Sequence, residues 1–132
     1  MNITEYKKTV LATTDRVQLV YMLYEGALNH MKSARKKIES GDIMSKGKHF
    51  SKATLIISEL SNVLDMENGG EISRNLRGLY EYVLQQLLYA NLNNDITAIE
   101  DSEKVIETLK IGWKEMMEGL KQNQQIGVKI GA

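Results

Sequence analysis

The chain has 132 residues, 17 basic against 17 acidic side chains, 42% hydrophobic residues, and neither proline nor cysteine. That length suits one domain with its own core, and the missing thiols exclude a disulfide framework, a thiolate metal site and a cysteine nucleophile. A net charge of zero argues against a dedicated nucleic-acid binder, and no apolar run reaches the roughly 18 residues of a membrane span.

Residues 1–14 read as a short lead-in segment. They lack the basic start and apolar run of a secretory signal, which fits a cytoplasmic protein. The first long helix is expected from Asp15 to Glu39. Val17, Val20, Tyr24, Ala27, Met31, Ala34 and Ile38 recur at alternating spacings of three and four, one face of a helix. Asp15 can cap its start, and Lys32, Arg35, Lys36 and Lys37 crowd its end, where cations oppose the negative pole. The turn Ser40-Gly41-Asp42 follows. A second helix, from about Ile43 to Leu64, carries Phe50, Ala53, Ile57, Leu60 and Leu64; Gly47 weakens its first turns. Asn68-Gly69-Gly70 is the next break. The paired glycines can end the second helix in a left-handed conformation. No phosphate-loop pattern accompanies them, and Glu71 would repel an anion there. A third helix, Glu71 to about Asn91, shows Ile72, Leu76, Leu79, Val83, Leu87 and Ala90. After NLNND (91–95) a fourth, Ile96 to about Gln122, shows Ile99, Ser102, Ile106, Leu109, Trp113, Met116 and Leu120. Residues 123–132 read as a mobile tail.

Four amphipathic helices with short links must alternate in direction. The expected fold is all-α: an elongated antiparallel up-down four-helix bundle over residues 15–122, preceded by the lead-in segment.

Several helices carry more apolar residues than one stripe can bury. Leu19, Tyr21, Met22, Leu23 and Leu28 flank the first stripe; Leu55 and Ile56 flank the second; Tyr80, Tyr82, Leu84, Leu88 and Tyr89 flank the third. They can spill onto the surface, as leucines and tyrosines often do. Alternatively, part of this surface receives an amphipathic helix of another chain. The lead-in residues Ile3, Tyr6, Val10 and Leu11 could cover the same surface when it is empty.

Chemistry is sparse. His30 and His49 lack the Glu-x-x-His pattern of bundle metal sites and read as isolated boundary residues, so no metal and no cofactor are expected. No Gly-x-Ser-x-Gly elbow or Gly-x-Gly-x-x-Gly loop is present, and an enzyme is not expected. Residues 32–52 hold seven basic and two acidic side chains. The end of the first helix accounts for half of them, and no aromatic is interleaved for stacking bases, so nucleic acid is not the expected partner.

Four blocks carry a family resemblance: MLYEGAL (22–28), SELSNVLDMENGGEISRNLRGLYEYV (58–83), LYANLNND (88–95) and GWKEM (112–116), with Tyr6 standing 18 residues before Tyr24. From about Tyr6 to Leu120 the chain resembles the flagellar export chaperone FliS family. One departure is Asp15-Arg16, where the family usually has Ser-Pro or Thr-Pro. The resemblance implies a cytoplasmic chaperone. Such a protein binds the disordered, helix-forming C-terminal segment of flagellin, prevents premature polymerisation and helps deliver it to the flagellar type III export gate. It implies a monomer that forms a one-to-one complex with flagellin. It places Tyr6, Val10 and Leu11 in a segment bordering a groove, and Gly26 where helices approach closely. Leu19, Met22, Leu23, Leu55, Ile56, Leu84 and Leu88 are the groove candidates, each of which could instead belong to the core. The competing expectation is a structural or regulatory bundle that uses its extra apolar faces to self-associate.

Overall fold

A computed structural model describes the backbone of residues 3–131 and the side chains of residue 4 and residues 15–123. Among these the chain forms four helices, α1 (Ile3–Glu39), α2 (Ile43–Asn62), α3 (Gly70–Asn93) and α4 (Ile96–Gly131), and no strand. α1 packs against α2 and α4, α3 packs against the same two helices, and the diagonal pairs do not approach closely. The fold is therefore the antiparallel four-helix bundle, with the helices in chain order around a square.

Each link has a local cause. α1 ends as the Gly41 and Asp42 amides donate back to the Ile38 and Lys37 carbonyls, at 3.0 and 2.8 Å. Asp42 then caps α2, accepting from the Ser45 amide at 3.3 Å; this cap carries α2 past Gly47. Between α2 and α3, Asp65 accepts from the Asn68 amide at 2.9 Å and its carbonyl accepts from Gly69 at 2.8 Å. The two glycines serve different needs. A side chain at Gly69 would collide with Ser73 and with the Asp65 carbonyl, whereas Gly70 has open space but a φ of +56°. α3 stops at Asn94, in the left-handed conformation at φ 52°, and Asp95 caps α4 by accepting from the Ala98 amide at 3.0 Å.

The structure differs from the sequence expectation at several points. α1 starts at Ile3, so Asp15 lies within it and is not its cap. Proline at position 16 would have disfavoured a helical residue before it; Arg16 imposes no such break. α2 ends at Asn62, so the glycines open α3 and do not close α2. The buried face of α3 is Ser73, Leu76, Tyr80, Val83, Leu87 and Ala90, while Ile72 is 72% exposed and Leu79 is also exposed. Tyr80 and Leu28 belong to the core.

The centre of the core is aromatic. Tyr24 of α1 and Tyr80 of α3 meet across the diagonal with hydroxyls 2.6 Å apart, and both are buried. Trp113 of α4 sets its edge against Tyr24, with ring centres 5.5 Å apart. Burial, reinforced for Tyr24 by the hydrogen bond, holds both hydroxyl protons on above the usual phenol range.

Two buried or half-buried cations also tie helices together. Lys46 of α2 reaches under the end of α3 and donates to the Asn91 carbonyl and the Asn94 side chain, where a cation meets the negative helix pole. Arg35 of α1 donates to Glu103 of α4 at 3.0 Å and to Glu39 at 3.0 Å. Glu103 thus ties α4 to α1.

Candidate partner-binding surface

α2 borders two surface depressions, and its sequence explains why. A helix that packs against α1 on one side and α3 on the other leaves an outward strip where the neighbours diverge. Leu55 falls on the α3 side and Ile56 on the α1 side.

The α2–α3 groove has a volume of about 570 Å³. Phe50, Thr54 and Leu55 form one wall, Leu84, Leu87 and Leu88 the other, and Ser51, Ser58 and Asn91 add polar atoms. Leu55 and Leu88 are 69% and 62% exposed. Tyr89 and Leu92 continue the exposed apolar surface along α3.

The α1–α2 side is shallower. Leu19 lines an open depression of about 550 Å³ with Asp15, Arg16, Asn62, Val63 and Leu64. Met22 is exposed nearby on α1. Leu23 and Ile56 pack partly buried against the core, and the Ile56 Cδ1 would lie 3.3 Å from a side-chain carbon at Gly26. Glycine at position 26 therefore leaves room for the Ile56 side chain, which any β-carbon there would crowd.

The sequence-derived candidates therefore divide. Leu55, Leu84 and Leu88 come together in one groove, Leu19 lines another, Met22 stands exposed on α1, and Leu23 and Ile56 help close the core. The side chains of Tyr6, Val10 and Leu11 lie outside the described residues. Phe50, Thr54 and Leu87 were not anticipated as groove residues; the available signal was that Phe50 and Leu87 stand about a turn from Leu55 and Leu84 and that Thr54 adjoins Leu55.

A third space, about 220 Å³, opens at the bundle end beside the α2–α3 link. Val17, Val20, Leu60, Leu76, Trp113 and Met116 are among its lining residues, and Arg16 nearby donates to the Val63 carbonyl at 3.2 Å. The indole N–H of Trp113 is buried without a partner among the described residues.

The two histidines are not isolated. His30 of α1 and His49 of α2 face each other with Nδ1 atoms 3.4 Å apart. Burial first, then the positive charges of Lys48, His30, Lys37 and Lys52, hold His49 below its usual range. Among the described residues no group of three or more metal-ligating side chains occurs, and no helix is long and apolar enough to cross a membrane.

The described residues thus form an all-helical bundle with apolar grooves on its surface and a neutral aromatic core. Comparison with known proteins makes the class specific. The family model described as "Flagellar protein FliS" matches residues 1–120. The chain is 44% identical over 100 residues to the flagellar secretion chaperone FliS of Salmonella typhimurium, covering 75% of this chain and 74% of that protein. It is 34% identical over 111 residues to the FliS chaperone of Escherichia coli, covering 83% and 82%. With that of Bacillus subtilis it shares 27% identity over 121 residues, covering 92% and 90%. The chain belongs to the FliS family of flagellar secretion chaperones. It is a chaperone and not an enzyme.

Proposed function

We propose that this chaperone binds the C-terminal, helix-forming segment of flagellin, one to one, in the cytoplasm. It keeps the subunit from polymerising early and presents it to the export gate of the flagellar type III apparatus. The observation that carries this reading is the α2–α3 groove, where Leu55 and Leu88 stand mostly exposed above Phe50 and Leu87. The wall from Phe50 to Ser58 rises about 12 Å, room for two turns of a partner helix. An amphipathic helix laid there would present its apolar residues to the leucines.

The energetics require an extended contact. Covering the exposed parts of Leu55 and Leu88 contributes about 1–2 kcal/mol each, while ordering each residue of a disordered segment costs about 1–2 kcal/mol. Two leucines alone cannot offset that. The partner must add several apolar residues of its own and use neighbouring surface, for which Leu19 and Met22 are candidates. Tyr6, Val10 and Leu11 are assigned to the same partner surface on the family resemblance. Release then follows from displacement at the gate, because the chaperone carries out no chemistry.

The test is a titration with a flagellin C-terminal peptide, followed by size-exclusion chromatography with light scattering. The wild type is expected to run as a monomer and to form a one-to-one complex. Leu55→Asp and Leu88→Asp should each weaken binding by roughly tenfold or more, since a carboxylate in an apolar contact is costly to desolvate, with unchanged helix content by circular dichroism. Ile56→Asp should instead lower stability, because Ile56 packs on the core. A stable self-oligomer that ignores the peptide would establish the competing self-association.

A further inference from the structure

The formal charge is zero, yet it is unevenly distributed. Of the basic side chains between residues 32 and 52, Arg35 is committed to Glu39 and Glu103 and Lys46 to the end of α3. The two acids of that region are committed as well: Glu39 to Arg35, and Asp42 to the Ser45 amide and, at 3.6 Å, to Lys37. Lys48 and Lys52 are exposed and make no ion pair with a described residue.

These lysines surround the histidine pair. On α2, Lys48 and Lys52 lie one residue before and three after His49, on the outward flank of its face. On α1, Lys37 is two turns beyond His30 on the same face. The groups whose charge reaches His49 are Lys48, His30, Lys37 and Lys52, all of them basic. The imidazoles, with Nδ1 atoms 3.4 Å apart and ring centres separated by 5.7 Å, can share one proton in a hydrogen bond. Protonating His49 would add a cation beside these basic groups. The same flank of α2 carries Leu55, seven residues after Lys48, so the basic patch adjoins the rim of the apolar groove.

We propose that the α1–α2 face around His30 and His49 is a docking surface for an acidic stretch of a protein partner, with the unpaired Lys48 and Lys52 taking its carboxylates. Charge complementarity selects the occupant. Two unpaired lysines beside a histidine pair offer a short cationic strip and no exposed aromatic among them for stacking bases. The balancing acids elsewhere on the chain oppose a long polyanion. Carboxylates brought against the strip reverse the local field, so His49, whose protonation burial and the neighbouring positive charges oppose, takes up a proton more readily as the partner binds. Binding is therefore tighter at pH 6 than at pH 8. The surface rests on its own charges and does not depend on occupancy of the α2–α3 groove.

The probe is a fluorescein-labelled peptide of alternating glutamate and alanine, followed by anisotropy against the whole chain. Expected results are saturable binding that weakens with added salt and tightens roughly threefold or more from pH 8 to pH 6. Proton uptake should appear when the calorimetric heat is compared in buffers of different ionisation enthalpy. Lys48→Glu with Lys52→Glu should weaken binding roughly tenfold, from two exposed pairs lost and reversed. Lys48→Gln with Lys52→Gln should give a smaller loss, and circular dichroism reports whether each variant is folded. His30→Asn with His49→Asn should keep binding at pH 8 and lose the pH dependence. The proposal is overturned by no binding, by equal binding to the charge-reversed chain, or by binding without proton uptake. Equal affinity for a single-stranded DNA oligonucleotide of matched charge would overturn it too, by making the strip a general polyanion surface.

Discussion

The Tyr24–Tyr80 hydroxyl pair allows a sharp test of what holds the core together. Both rings are buried, and their hydroxyls, 2.6 Å apart, belong to diagonally opposite helices whose backbones do not approach closely. Tyr80→Phe removes one hydroxyl and strands the other where water cannot reach it. A buried polar group without its partner costs about 1–3 kcal/mol, and Tyr24→Phe should cost a similar amount. The double variant strands nothing. Its remaining cost is the small void left by two oxygens, about 0.5–1 kcal/mol by the volume dependence of cavities. The double variant should therefore lie about 1–5 kcal/mol closer to wild type than the sum of the singles. Equilibrium urea unfolding of the four proteins measures this directly. A single variant should also melt roughly 3–10 °C lower. Single effects that simply add, within about 0.5 kcal/mol, would refute the reasoning, because they would mean each hydroxyl is satisfied independently of the other.

The same pair sets an alkaline limit. In the unfolded chain these tyrosines ionise near pH 10, as any exposed phenol does, whereas in the fold burial keeps both protonated to higher pH. The folded state thus holds more protons above about pH 10, so stability is full below that point and falls as pH rises through it. Urea midpoints between pH 9 and pH 11 should drop less steeply for the double Phe variant than for wild type. The two link glycines should separate by mechanism. Gly70→Asn should cost less than about 1 kcal/mol and Gly70→Ala about 1–2 kcal/mol, since only backbone conformation opposes them. Gly69→Ala should cost more than either, because its side chain would meet Ser73 Cβ at 2.8 Å as well as the Asp65 carbonyl. Thermal melts that rank Gly70→Ala as the worst of the three would show the link to be limited by conformation alone.

Much of this protein was determined by sequence alone, and the reason is that the signals are local. Helix number, the three links and the buried faces of α1 and α2 follow from apolar spacing and from capping or turn residues such as Asp42, Asp65 and Gly41, each acting within a few positions. The α3 face shows the limit. Ile72 and Leu79 are more apolar than Ser73 and Tyr80, yet the latter pair are buried. Tyr80 is soluble in the core only because Tyr24, 56 residues away, supplies a hydroxyl. Asp15 looked like a helix start because its side chain can cap, but nothing in the preceding residues forced the helix to begin there.

Only the tertiary structure decided which surplus residues face which neighbour. Leu55 and Ile56 are adjacent and equally apolar, and about 100° of helix rotation sends one to an open groove and the other onto α1. Periodicity states that a helix has a second apolar side; it does not state whether another helix already covers it. His30 and His49 meet, and Lys46 caps a helix other than its own, for the same reason. These contacts join residues that no spacing rule connects, and they exist only once packing has set the four helices side by side.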